Sequence, residues 1–206
     1  MRSLLFFLVV PSLALADPKP LFNGKDLSGW EGDTDKTWRI EEGAIVGGSL
    51  DAVVPRNEFL CTTKTYGDFA LKLKFKLLGD PAKTNAGVQF RTKRIPKHHE
   101  VIGYQADIGA GYWGALYDES RRNKILAAPK GDDAAKLVKV GDWNDYTIRA
   151  EGPRIQLWLN GTKTVDFTEP DAKIDRTGVI ALQVHGGAKS KVMYKDISIE
   201  ELSPAK

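Results

Sequence analysis

The chain has a single cysteine, Cys61, in 206 residues. An exported chain of this kind therefore has no internal disulfide to staple it, and its stability must come from a core. Cys61 lies within the apolar stretch 59–62, where a thiol reads as buried and inert. Charge of one sign is also missing: 30 basic against 27 acidic residues, spread along the chain, give no footprint for nucleic acid. There is no Gly-x-Ser-x-Gly elbow, no phosphate-binding Gly-x-x-x-x-Gly-Lys-Ser/Thr and no dinucleotide fingerprint, so phosphoryl transfer and nicotinamide chemistry have no support. No cofactor is expected. His98-His99-Glu100 invites a metal reading, but adjacent residues on a loop or strand point apart and no second cluster has ligand spacing; a solvated loop and no metal site are expected. Long apolar runs are absent except at the N-terminus.

That exception has the form of a secretory signal: Arg2, an apolar run over 4–10, then Ala14-Leu15-Ala16 with cleavage expected after Ala16. The run is shorter than the ~20 residues that cross a bilayer, so no membrane span is expected after removal of the signal, and a secreted or periplasmic location follows. Residues 17–206, about 190, suit one β-rich domain.

Helical periodicity is scarce and period-two alternation is common. Phe69, Leu71, Leu73, Phe75 and Leu77 alternate with Lys72, Lys74 and Lys76, which predicts a strand with one wet, cationic face. Residues 146–150 and 155–159 alternate likewise. Asn160-Gly161 follows, a dipeptide suited to a tight turn with positive φ at both central positions, so 164–167 is the expected partner strand. Further strands are expected at 38–40, 44–46, 58–62, 87–91, 103–108, 114–117, 179–185 and 192–199, separated by Gly, Pro, Asn and Asp. An all-β sandwich of two antiparallel sheets follows.

Three of these strands interleave hydrogen-bonding residues with apolar ones: Gln89 and Arg91, Gln105 and Asp107, Gln183 and His185. Successive side chains point to opposite faces, so each pair can share a face while Val88, Phe90, Tyr104, Ala106, Ile108, Leu182 and Val184 take the other. With the strands side by side, that face becomes a polar trough fit for a ligand whose hydroxyls both donate and accept. Arg91 offers a planar fork to a ligand oxygen or else makes a salt bridge. Asp107, roughly 7 Å along the strand from Gln105, is a general base, an orienting group or a structural carboxylate. His185, before Gly186-Gly187, is a proton-transfer group or a hydrogen-bonded structural histidine. In the segment 111–122, Trp113 and Tyr117 either stack on a ring or pack into the core, beside Glu119, Arg121 and Arg122.

The run 21–30, Leu-Phe-Asn-Gly-Lys-Asp-Leu-Ser-Gly-Trp, followed by 38–48, Trp-Arg-Ile-Glu-Glu-Gly-Ala-Ile-Val-Gly-Gly, resembles the opening of the 3-keto-disaccharide hydrolase domain family. The likeness continues through 66–69, 85–91, 103–108, 143–144, 159–161 and 195–199 and so covers nearly the whole chain after residue 16. It implies a concanavalin A-like jelly roll with a ligand groove on its concave sheet, and action on glycosides oxidised at C3. The ketone acidifies the C2 hydrogen, so one base suffices where ordinary glycosidases need two carboxyls. On this resemblance Asp107 or His185 abstracts the proton, and the other, or Glu119, assists the leaving group. Arg91 stabilises the enolate oxygen, while Gln89, Gln105 and Gln183 hold hydroxyls; Trp113, Tyr117 and Arg121 line the cleft. The chain departs from the family pattern at Gln105 and Asp107, where many relatives carry Glu and Gln. The rival expectations are a non-catalytic carbohydrate-binding module and an assembly domain of an exported complex.

Overall fold

The computed structural model describes residues 17–203 apart from Asp132; the signal-like segment 1–16 and the tail from Pro204 lie outside the described residues. The strands in chain order are β1 Lys19–Pro20, β2 Trp30–Glu31, β3 Trp38–Glu41, β4 Ala44–Ser49, β5 Glu58–Thr62, β6 Phe69–Gly79, β7 Asn85–Arg94 and β8 Val101–Gly109. They continue as β9 Leu116–Glu119, β10 Lys124–Ala127, β11 Asn144–Glu151, β12 Arg154–Leu159, β13 Thr162–Thr168, β14 Val179–Val184 and β15 Ser190–Glu201. One short 3-10 turn, Ala135–Leu137, lies between β10 and β11.

Two antiparallel sheets form. One runs β13-β12-β11-β6-β15-β4-β3 with β1 beside β15; the other runs β10-β9-β8-β7-β14-β5-β2. Alternation sets what lies between them. Phe69, Leu71, Leu73, Phe75, Tyr146, Ile148, Leu157 and Tyr194 of the first sheet meet Val88, Phe90, Tyr104, Ala106, Ile108, Leu182 and Val184 of the second in one buried cluster. The lysines of β6 take the opposite face, as their spacing predicts: Lys72 is exposed, and Lys74 holds Asp145 at 2.5 Å. The hairpin joining β12 to β13 turns on Asn160 (φ 48°) and Gly161 (φ 81°), both positive as that dipeptide requires.

Two buried tyrosines tie the sheets together beneath the polar face. The Tyr146 hydroxyl donates to the Asp107 carbonyl at 3.2 Å, and that of Tyr194 reaches the carbonyls of Gly87 and Gln183 at 3.1 and 2.8 Å. The three strands that carry the polar residues are thus pinned by their backbones from behind.

Candidate active site

The three polar strands are neighbours. β7 lies between β8 and β14, and Gly87 is level with Asp107 on one side and Gln183 on the other, while Gln89 faces Gln105. Gly87 is the position where the missing side chain matters: a Cβ there would stand 2.5 Å from the Gln105 side-chain carbonyl carbon, so Gln105 lies across its strand neighbour. Its carbonyl oxygen accepts from the Gln89 amide. β9 extends the face, with Tyr117 level with Gln105 and Glu119 level with Gly103.

A cleft of about 550 Å³ opens over part of this surface, lined among others by Asn57, Lys83, Asn85, Gln105, Asp107, Tyr112, Tyr117, Glu119 and His185. Asp107 is its buried floor. One carboxylate oxygen accepts from Asn85 Nδ2 and from the Ile108 amide, each at 3.0 Å. Burial pushes the Asp107 carboxyl up to about 7, against the lowering effect of bonds from Asn85, Gln105 and Ile108 and with help from the charge of Glu119. Glu119 is also pushed up to about 7, first by burial and then by the charge of Glu100. Neither carboxylate forms an ion pair with a described residue. His185 stands exposed at the rim, with Nδ1 2.7 Å from the Gly186 carbonyl and Nε2 free to meet a ligand. Among the described residues Lys83 is the one lysine or arginine lining the cleft.

Of the expected site residues, the structure brings together Gln105, Asp107, Tyr117, Glu119 and His185 in this cleft. Five others lie elsewhere. Arg91 does not share the face of Gln89, because Arg91 and Thr92 together oppose the single Gly103, a β-bulge with Arg91 at φ 47°. The bulge turns its guanidinium toward the other sheet, where it donates to the carbonyls of Gly67 and Gly152 and pairs with Asp68 at 2.7 Å. Gly178 makes room for this bend, since a Cβ there would lie 2.5 Å from the Arg91 carbonyl carbon. Gln89 and Gln183 are on the expected face but wholly buried and do not line the open cleft. Trp113 stacks on Phe75 with ring centroids 6.4 Å apart and packs against the core instead of walling the cleft. Arg121 lies over the Tyr104 ring and pairs with Asp118 at 2.7 Å.

Sequence reasoning missed Asn57, Lys83, Asn85 and Tyr112 as cleft residues. Asn85 could have been found, since it precedes Gly87 and Gln89 in the same alternation; Asn57 and Lys83 lie outside strands, where no periodicity points to them.

A family model described as a 3-keto-alpha-glucoside-1,2-lyase-like domain matches residues 17–200. The chain belongs to that family. Comparison with curated proteins gives no match. Among solved structures, a protein described as a candidate glycosyl hydrolase from Parabacteroides distasonis superposes with a TM-score of 0.67 at 24% identity, over 89% of this chain and 93% of that one. The carbohydrate-binding module CBM66 from Bacillus subtilis gives 0.64 at 16% identity, over 84% and 95%. The Bacillus licheniformis beta-glucanase gives 0.57 at 10% identity, over 93% and 100%. At these identities the likeness is one of fold, and the fold is the concanavalin A-like jelly roll that the family resemblance implies, with the polar cleft on its second sheet. Among the described residues no helix is long and apolar enough to cross a membrane.

Proposed function

We propose that this family member is an exported enzyme that cleaves the glycosidic bond of 3-keto-glycosides by elimination across C1 and C2 followed by hydration. The observation that carries the reading is a sugar-sized cleft holding two carboxyl groups, Asp107 and Glu119, both near neutrality and neither ion-paired. Family membership supports the substrate class, and the signal-like segment 1–16 supports export.

Ionised Asp107 takes the C2 proton, which the adjacent ketone has made acidic. The electron pair forms the C1–C2 double bond as the bond from C1 to the departing oxygen breaks, and Glu119 gives that oxygen its proton. Water then adds: its hydroxyl bonds to C1, its proton passes to Glu119, and Asp107 returns a proton to C2. Both groups start the next cycle in their original states. With Arg91 withdrawn by the bulge, Lys83 is the positive charge in reach of an enolate oxygen on C3. Gln105 and Asn57 hold hydroxyls, Tyr117 and Tyr112, 6.5 Å apart and edge to face, offer apolar ring surface, and His185 holds the rim.

The likeness to a carbohydrate-binding module supports the rival reading, sugar binding without cleavage. Incubation of the purified protein with a disaccharide and with its 3-keto derivative, following release of reducing sugar, separates the two. Turnover of the 3-keto compound alone is expected, with a bell-shaped pH–rate profile centred about pH 7 because one carboxyl must be ionised and the other protonated. Binding of either sugar with no turnover would establish the module instead.

A further inference from the structure

Glu100 is a mostly buried carboxyl that the reaction written above does not use. It closes the loop 95–100 that joins β7 to β8, and its own amide donates to His98 Nδ1 at 3.2 Å. One of its oxygens is held: Oε1 accepts from Asn57 Nδ2 at 3.1 Å and lies 3.4 Å from His99 Nε2. The other, Oε2, is buried and has no hydrogen-bond partner among the described residues. No lysine or arginine among those residues pairs with either oxygen. An unmet carboxylate oxygen in such a place costs free energy and needs a reason.

Asn57 ties this carboxyl to the cleft. It is a lining residue of the cleft, and its Oδ1 accepts from the Gly186 amide at 3.0 Å, in the turn that follows His185. With both ends of its amide engaged, Asn57 fixes where Glu100 stands. The β8 residue level with Glu119 is Gly103, three positions after Glu100, and it brings no side chain to that level. Burial is the largest influence raising the Glu119 carboxyl, and the charge of Glu100 is the next. Of the other titratable or charged groups around Glu119, Asp107, Tyr112, Tyr117, Lys83 and His185 line the same cleft. Asp118, its chain neighbour, faces inward, where Arg121 and Arg122 answer its charge.

We propose that Glu100 is a positioning residue of the elimination: its carboxylate, clamped by Asn57 beside the cleft, keeps the proton on Glu119 until the departing oxygen takes it. The inference rests on the reading above, in which Glu119 is the acid. Two like charges brought close disfavour each other, so a fixed charge on Glu100 leaves Glu119 protonated at pH values where an isolated glutamic acid would have lost its proton. The unmet Oε2 serves the same end, since a donor placed on it would draw off the charge that acts on Glu119.

Glu100→Gln tests the role, because it removes the charge and keeps an oxygen for Asn57. Glu119 is expected to ionise at lower pH in this variant, so the basic limb of the pH profile of kcat/KM, measured on a 3-keto-glycoside with a poor leaving group, should move down by about half a pH unit or more. That is a loss of roughly threefold at pH 8 with little change at pH 6, and glycosides of an acidic phenol, which need no acid, should keep their rate. Carbon-13 NMR titration of the Glu119 carboxyl should show the same downward shift without any substrate, and Glu100→Asp, which keeps the charge, should hold the limb near its place in the parent protein. An unmoved limb, an unmoved Glu119 titration or an equal loss with both kinds of leaving group would overturn the role while leaving the cleavage reading intact. No turnover of any 3-keto-glycoside by the parent protein would overturn both, whatever the titration shows. Should Glu100→Gln not fold, Glu100→Ala decides by the same readouts, since it too removes the charge and leaves the loop its backbone bond from the Ile95 amide to the carbonyl of residue 100.

Discussion

Asp118 and Glu119 are adjacent on β9 and point to opposite faces, and the carboxylates on those two faces meet opposite fates. On the inner side Asp118 is gripped by Arg121 and Arg122, and Glu169 is gripped by Arg122 and by the Tyr104 hydroxyl at 2.6 Å. Burial alone would raise Glu169, but those partners overcome it and hold the carboxyl down at about 2. On the cleft side Asp107 is buried and Glu119 half-buried, neither has an arginine partner among the described residues, and both rise to about 7. Burial is common to the two regions, so the partner decides. Where the chain needs a fixed charge it supplies a guanidinium, and in the cleft it withholds one, which leaves groups able to exchange protons near neutrality.

That contrast can be broken from either side. The largest effect should come from Glu169→Gln: removing the buried carboxylate that Arg122 and the Tyr104 hydroxyl share, while Arg122 keeps Asp118, is expected to cost about 3 kcal/mol in urea unfolding at pH 7, with sugar binding retained in the folded fraction. Asp107→Asn should do the reverse, lowering turnover of a 3-keto-glycoside roughly a hundredfold or more, about 2.7 kcal/mol in barrier height, without loss of fold.

The pH dependence of stability carries the same opposition in sign. Asp107 has a folded value raised from 3.8 to about 7, so its contribution is full below 3.8 and is lost as pH climbs through about 7. Glu169, lowered from 4.5 to about 2, contributes fully above 4.5 and loses its part as pH falls through about 2. Urea melts at pH 5 and 8.5 should therefore show Asp107→Asn gaining on the parent protein as pH rises, by on the order of 2 kcal/mol. No gain at pH 8.5 would mean that Asp107 is better solvated than its burial implies. The smallest effect concerns Glu119→Gln, expected to slow glycosides with poor leaving groups roughly tenfold and those with an acidic phenol far less, because only the former need protonating.

Much of the frame was legible in the order of residues. Alternation in 69–77 marked β6 and its lysine face, Asn160-Gly161 marked the hairpin, and the apolar partners Val88, Phe90, Tyr104 and Leu182 were assigned to the core side where they lie. Gln105, Asp107 and His185 emerged on the face that strict alternation gives them, and β14, β7 and β8 are the neighbours that the polar trough needed. Arg91 was misplaced for the same reason: alternation assumes one residue per step, and the bulge at 91–92 inserts an extra one. Trp113 carries no periodic signal that separates a ring platform from a core filler, and stacking on Phe75 settled it.

Period-two patterning and a few obligatory turn residues determined the strands and the sheet faces, because they depend on neighbours a few positions apart, and the family was legible in the segments that resemble it. Tertiary structure alone decided which polar residues meet solvent. The tie between Asn57 and Glu100, the burial of the Arg91 guanidinium against Asp68 and the pairing of Arg122 with Glu169 all arise from contacts between residues more than 20 positions apart in the chain, and the charge state of a buried carboxyl is set by whatever such contacts bring beside it.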